Sequence, residues 1–573
     1  MTAGTVSWQA RGWQSTRDLL PRAADWHTMR RQPTRDLLAG CTVAMVALPL
    51  ALAFGITSGL GARAGLITAV VAGLLAAVFG GSNLQVSGPT GAMTVVLLPV
   101  VSRFGAEGVL VAGLLAGLVL LALAYAKVGR YIQFVPLPVV EGFTVGIAVI
   151  IGLQQVPAIL GVSAVTETGG TVLETALDSV RRWAADPHWV PLVLAFVVAG
   201  SMLLAVRFRP GLPVSLVAVA VATIVITVAH SSIQTIGQIP AGFPAPAVPH
   251  LAASQLGDLL VPAVAIAALA ALESLLCASV ADGMTVGEHH DPSRELFGQG
   301  MANLVCPWFG GIPATAAIAR TAVNVRAGAR SRLAALTQSG VLLLVMLGLS
   351  GLVSYIPLAA LAGVLLATIV QMVEVSSVRA LLRSTRGDAV VLVVTAVATI
   401  ALNLVTAVII GLVTAGAFAV HQMAGSARLD EVALDVDGDQ PDESSQSLLD
   451  EHIVAYRLEG PLFFGAAHTF LLELTEISDV AVVILRMSRV ASLDATGASV
   501  LGDIIKRLEG RGVTVLVSGV RDRHHPVLER LGVYDELAHE RHVFGSTPEA
   551  IAHARVHAAR VVHVPGAADD VPA

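Results

Sequence analysis

The chain has 573 residues, 55% of them hydrophobic and 13% charged, with a mean hydropathy of +0.76; this excludes a simple water-soluble globule and indicates a polytopic membrane protein carrying some soluble mass. The net charge of −6 gives no footing for nucleic-acid binding. The three cysteines, Cys41, Cys277 and Cys306, lie in apolar stretches whose spacing makes neither a zinc site nor a disulfide frame, and no cofactor or metal is expected.

Residues 1–35 are polar, with Trp8, Trp13 and Trp26 set among six arginines, Arg11, Arg17, Arg22, Arg30, Arg31 and Arg35. Aromatic and basic residues favour the headgroup layer, so this arm is expected on the cytoplasmic membrane surface. It lacks a cleavable signal pattern, and the first apolar run, from Leu37, reads as a retained span.

From residue 36 to 423 the apolar runs divide into about fourteen spans, some shorter than the roughly 20 residues of a straight crossing. The expected limits are 36–58, 62–80, 84–104, 106–127, 134–155, 190–207, 212–229, 258–282, 293–309, 312–326, 333–354, 357–373, 388–402 and 404–423. Lys127 with Arg130, Arg207 with Arg209, Arg326 with Arg330 and Arg332, and Arg379 with Arg383 and Arg386 fall in alternate loops. Those loops are cytoplasmic if the N-terminus is inside, and the even count returns the C-terminus there.

Two spans are interrupted. Gln85-Val-Ser-Gly-Pro-Thr-Gly-Ala-Met93 breaks the third, and Gly310-Gly-Ile-Pro-Ala-Thr-Ala-Ala-Ile-Ala-Arg320 breaks the tenth. In the second, the glycines loosen the backbone, and Pro313 fits the first turn of a new helix. Irregular backbone at bilayer depth is tolerated only where protein or a water-filled cavity covers it. Breaks at matching places in two seven-span halves, about 36–229 and 258–423, are the pattern of an inverted-repeat transporter. Each break exposes a helix N-terminus with unpaired amides and a positive dipole end, and together they form an anion cradle.

After Met423 the composition changes. Residues 424–450 form an acidic linker with a first strand expected at Val432–Val436. Strands are then expected at Ile453–Leu458, Val480–Leu485 and Val513–Val517, and helices at Ala467–Glu476, Thr496–Glu509, Pro526–Leu531 and Pro548–Arg560. The alternation makes a small α/β domain over 451–562, with 563–573 a disordered tail.

The run Val46-Ala-Leu-Pro-Leu-Ala-Leu-Ala-Phe54 and the break at 85–96 resemble the SulP anion transporters, relatives of pendrin and prestin, and above all their bacterial bicarbonate branch. Phe309–Gly328 resembles that family's tenth span. Ile484-Leu-Arg-Met followed by Leu493-Asp-Ala-Thr-Gly497 resembles a STAS domain. The resemblance implies fourteen helices in core and gate parts, with spans one to four and eight to eleven forming the core. It also implies substrate held between spans three and ten, elevator-like movement of the core, and a homodimer in the bacterial inner membrane.

The candidate substrate ligands are Ser87, Thr90, Gly91, Thr315, Ala316, Ala317 and Arg320, with Phe54 as a wall or a core residue. Glu273, deep in the eighth span, is costly there unless paired, hydrated or protonated, and such acids mostly face pathways; an ion pair with Arg320 would make both residues structural. In the resembling branch an Asp at this position helps bind sodium, with a Thr where this chain has Cys277 and another where it has Ile318. Cys and Ile offer no hard side-chain oxygen, so a proton rather than sodium is the expected coupling ion, with Glu273 and Cys277 as coupling residues. In the tail, Asp494 and Thr496 open a helix where bacterial STAS regulators are phosphorylated; the alternative is an ordinary N-cap.

The expected activity is secondary transport of bicarbonate or sulfate, and catalysis is not expected. A dicarboxylate–proton symporter, a nucleobase–proton symporter of the same fold and an anion channel or sensor stand as alternatives.

Overall fold

The computed structural model describes residues 18–30, 32–162, 171–208, 214–231, 233–240, 242–249, 255–285, 289–402, 404–425, 428–431, 452–463, 480–539 and 542–562. The chain forms two compact units, Met1–Ala415 and Gly416–Ala573.

The first unit is helical. Its elements are α1 (Ala23–Met29), α2 (Pro33–Thr57), α3 (Ala62–Phe79), α4 (Gly91–Tyr125), α5 (Leu137–Leu160), α6 (Val172–Ala185), α7 (Trp189–Phe208), α8 (Val214–Val228) and α9 (Leu256–Gly283). There follow α10 (Pro292–Val305), α11 (Ile318–Arg326), α12 (Leu333–Gly348), α13 (Leu358–Met372), α14 (Val375–Arg383), α15 (Arg386–Ala401) and α16 (Leu404–Gly425), the last of which runs across the boundary between the units. Two short strands, β1 (Ser87–Gly88) and β2 (Thr315–Ala316), precede α4 and α11. Seven stretches of described helix are long and apolar enough to cross a membrane, and three more helices are apolar but shorter.

α4 is 35 residues long, about 52 Å at 1.5 Å per residue, far more than a bilayer core. It is broken at Gly105, whose φ of 68° and ψ of −168° are not helical. The break separates a half-helix from a full crossing and matches the expected division between spans three and four. α6 and α14 were not anticipated: they lie in segments expected to be loops. Thr171 caps α6, and its reciprocal bond with Glu174 completes a capping box.

Packing sorts these helices into two sets. α2, α3, α4 and α9 to α12 pack chiefly on one another, while α5, α7, α13 and α15 pack together. The pairings also repeat. α2 lies on α12 as α9 lies on α4, and α5 lies on α15 as α13 lies on α7. The described part of the N-terminal arm is tied to the bundle: Leu19 is buried, and Asp25 pairs with Arg294, with Arg332 at 3.8 Å.

The second unit is a five-stranded sheet in the order β3 (Arg428–Glu431), β4 (Ile453–Leu462), β5 (Val482–Leu493), β6 (Thr514–Ser518), β7 (Val543–Phe544). β3 is antiparallel to β4, and all later pairs are parallel. The side-chain period of two sorts the core. Val483, Leu485, Val515 and Val517 face α17 (Ala495–Gly510) through Leu501, Ile505 and Leu508. Ile453, Ala455, Ile484 and Leu516 pack on α19 (Thr547–Val562) through Ala550, Ile551, Ala554 and Ala558. α18 (His525–Arg530) lies between β6 and β7 in the chain. The first described strand of this unit is Arg428–Glu431; the expected strand at 432–436, most of the linker, the expected helix at 467–476 and the tail 563–573 lie outside the described residues.

Candidate functional site

The two breaks meet. β1 and β2 pair antiparallel, with Ser87 opposite Ala316 and Gly88 opposite Thr315. α4 and α11 start just beyond this ladder. Thr90 is the N-cap of α4, its hydroxyl accepting from the Met93 amide at 3.4 Å. Ala317 is the N-cap of α11, and its own amide donates to the Val86 carbonyl at 3.0 Å. The first amides of each helix have no acceptor within the helix, and both dipoles present their positive ends here.

The tenth-span helix does not start near Pro313, as its sequence suggests, but at Ile318. Residues 312–317 stay extended because distant groups satisfy their backbone. Thr68 Oγ1 accepts from the Ile312 amide at 2.8 Å. Asn303 accepts from the Ala314 amide at 2.8 Å and donates to its carbonyl at 2.9 Å. Arg320 therefore sits in the first turn rather than two turns in. The amides of Ala316 and Ala317, expected to serve an anion, are engaged by Ser274 Oγ and Val86. The Thr315 hydroxyl lies 3.1 Å from Ser274 Oγ. The helix-start donors on this side are instead those of Ile318 to Arg320.

Arg320 is 1% exposed. Its Nη2 donates to the Pro89 carbonyl at 2.8 Å. Its Nη1 is buried with no hydrogen-bond partner. A Cβ on Gly88 would lie 2.7 Å from Nη1, so this approach requires glycine. Glu273 is half-buried and accepts from Thr90 Oγ1 at 3.1 Å. No ion pair joins Glu273 to Arg320 among the described residues; they interact only through space. The alternative in which the two neutralise each other by direct contact is absent from this arrangement.

Gly91 lies where a Cβ would come 3.1 Å from Phe54 Cε1 and 2.4 Å from Ile151 Cδ1, so buried Phe54 packs on the start of α4. Ser87 Oγ accepts from Gln299 Nε2 at 2.7 Å. Cys277 does not join Glu273: it is buried, and its thiol donates to Thr321 Oγ1 at 3.1 Å, an oxygen that also accepts from the Val86 amide at 3.0 Å.

Sequence reasoning missed the support for both breaks. Glu295, Gln299 and Asn303 recur every fourth residue and so share one face of α10, and all three are buried. Glu295 accepts from the Gly81 and Ser82 amides and from Gln85 Nε2. Gln299 reaches Ser87 and Asn303 reaches Ala314. One helix thus holds the approach to α4 and the approach to α11. The four-residue recurrence of polar side chains in an apolar span was the available signal. Ser274, beside Glu273, carries no such signal, since Ala270 and Ala278 flank it one turn away.

In the second unit Asp494 caps α17, accepting from the Gly497 amide at 2.7 Å, while Thr496 is exposed. A Cβ on Gly497 would lie 2.3 Å from the Leu462 carbonyl oxygen, which fixes the tight Asp-Ala-Thr-Gly turn.

Residues 34–395 match the sulfate permease family, and residues 447–550 match the STAS domain. The chain is 34% identical over 522 residues to YvdB of Bacillus subtilis (strain 168), named a candidate sulfate transporter, covering 89% of this chain and 96% of that one. The solved transmembrane domain of a cyanobacterial bicarbonate transporter, BicA, is 34% identical with a TM-score of 0.59, covering 67% of this chain and 97% of that one. The structure of SLC26A9 has a TM-score of 0.80 at 18% identity, covering 98% and 96% of the two chains; at that identity it speaks for the fold.

Proposed function

The chain belongs to the sulfate permease family and ends in a STAS domain, and from this we propose that it carries a small oxyanion, bicarbonate or sulfate, across the bacterial inner membrane as a secondary transporter. The observation that carries the site is the unpartnered Nη1 of buried Arg320 beside two helix N-termini. A guanidinium, always charged, with one nitrogen already anchored on Pro89 and the other unused, is preorganised for an anion.

An oxyanion placed there would take hydrogen bonds from Nη1 and from the first amides of α4 and α11. Thr90 would bring Glu273 into the same site through their hydrogen bond. An anion arriving beside a carboxylate is repelled unless that carboxylate takes a proton, so substrate and proton would bind together. Sodium is a poorer fit: the Cys277 thiol is engaged with Thr321, and exposed Ile318 has only hydrocarbon to offer.

The two helix sets support an elevator in which α2 to α4 and α9 to α12 carry the site past the other set. The repeated pairings support two seven-span halves of opposite orientation, since a shift of seven expected spans converts α2 on α12 into α9 on α4, and α5 on α15 into α13 on α7. A homodimer with cytoplasmic termini completes the reading.

Uptake of labelled bicarbonate and sulfate into proteoliposomes, with pH and sodium gradients imposed separately, tests it. We expect saturable uptake of one of them, stimulated by an acid exterior and indifferent to sodium. Sodium-dependent uptake would remove the proton assignment, and uptake of neither anion would remove the substrate class.

A further inference from the structure

The C-terminal unit gathers histidines that transport does not use. In sequence they form two pairs, His539-x-x-His542 and His553-x-x-x-His557. His542 stands immediately before β7, and His553 and His557 lie one turn apart on α19, so they share a helix face. The fold brings the pairs together: ring centroids are 5.5 Å apart for His542 and His553, 5.1 Å for His542 and His557, and 5.0 Å for His553 and His557.

Three features separate this cluster from a chance stack of rings. The Nε2 atoms of His553 and His557 are 3.2 Å apart; two imidazole ligands of one tetrahedral ion, each at about 2.05 Å, stand roughly 3.3 Å apart. Ligand atoms of all three residues lie within 4.8 Å of one another. His542 is 3% exposed, and its Nδ1 is buried without a hydrogen-bond partner. A buried imidazole nitrogen with no partner costs stability unless something fills the gap it faces.

We propose that His542, His553 and His557 bind a divalent transition-metal ion of the zinc class in the STAS domain. Three neutral imidazoles suit zinc, cobalt, nickel and copper, while calcium and magnesium prefer oxygen ligands. A fourth position remains for water or for His539, whose ring lies 5.9 Å from that of His542. The ion would join the residue entering β7 to the last helix, two elements separated by a turn in the chain. Binding only the folded form, it would stabilise this unit by mass action.

The test uses the full-length, tag-free chain in detergent, stripped with chelator and titrated with cobalt(II), then competed with zinc(II). The variant carries His553→Gln and His557→Gln, both on a partly exposed helix face, and thermal unfolding without metal confirms that it folds like the wild type. We expect one equivalent of cobalt per chain with intense visible bands of low-coordinate geometry, displaced by zinc, and affinity at least about 100-fold weaker in the variant. His542→Ala is the second variant and should lose the same equivalent. Equal binding and identical spectra in wild type and both variants would overturn the proposal, as would no binding by the wild type at micromolar free metal.

Discussion

Arg320 and Glu273 carry opposite charges and do not bind each other; each instead grips an adjacent residue of the same break. Arg320 Nη2 donates to the Pro89 carbonyl, and Glu273 accepts from the Thr90 hydroxyl. The cation and the acid therefore bracket the start of α4 and leave Nη1 unspent. A carboxylate paired directly with Arg320 would compete with any substrate anion. This geometry avoids that competition while keeping both charges close enough to interact.

Arg320→Ala removes the donor proposed to face the anion. Loss of a charge-assisted hydrogen bond costs about 1.5–3 kcal/mol, so KM for the anion should rise roughly ten- to hundredfold. Arg320→Lys should recover little, because an ammonium cannot hold Pro89 and the anion in one rigid fork. Concentration-dependent uptake by the reconstituted proteins measures both.

Glu273→Gln keeps an oxygen for the Thr90 hydroxyl but cannot change charge. Uptake down an anion gradient should persist, and its stimulation by an acid exterior should vanish. A mutant that still responds to an acid pulse would show that the proton binds elsewhere.

Gly88→Ala places a methyl 2.7 Å from Nη1 if nothing moves. Arg320 must shift, and misplacement on the ångström scale should lower uptake about 100-fold while the protein still elutes as a folded species. Normal uptake would mean that the guanidinium position is not critical.

Asn303→Leu leaves the amide and carbonyl of Ala314 without their partner. Each buried orphan costs about 1–3 kcal/mol, so thermal unfolding in detergent should move clearly downward. A silent substitution would contradict the role assigned to α10 as support for both breaks.

Asp494→Ala should destabilise the C-terminal unit by about 1 kcal/mol through loss of its N-cap, whereas Thr496→Ala, at an exposed position, should leave unfolding unchanged. Any effect of Thr496→Ala on transport in cells would then report modification of that hydroxyl rather than loss of fold.

The places where the membrane helices break were legible because glycine and proline punctuate otherwise continuous apolar runs at 85–93 and 310–320. The alternating strands of the C-terminal domain were legible because Val482 to Leu485 and Thr514 to Ser518 are short runs rich in β-branched residues, all of them buried except Thr514. The start of α11 was not. Its extended approach is imposed by Thr68, Asn303 and Ser274, which are distant in sequence, and local propensity around Pro313 favours an earlier helix. The histidine cluster was hidden for a related reason: neither pair alone marks a ligand set, and only the packing of α19 beside the approach to β7 unites them.

An anion is proposed to bind between the starts of α4 and α11 against Arg320 Nη1. The most direct measurement is a density map of the reconstituted protein saturated with whichever anion uptake identifies, compared with a map without it. New density is expected within hydrogen-bond reach of Nη1 and of the first amides of both helices. Anion density elsewhere, with Nη1 unchanged and the two helix starts packed shut, would contradict it.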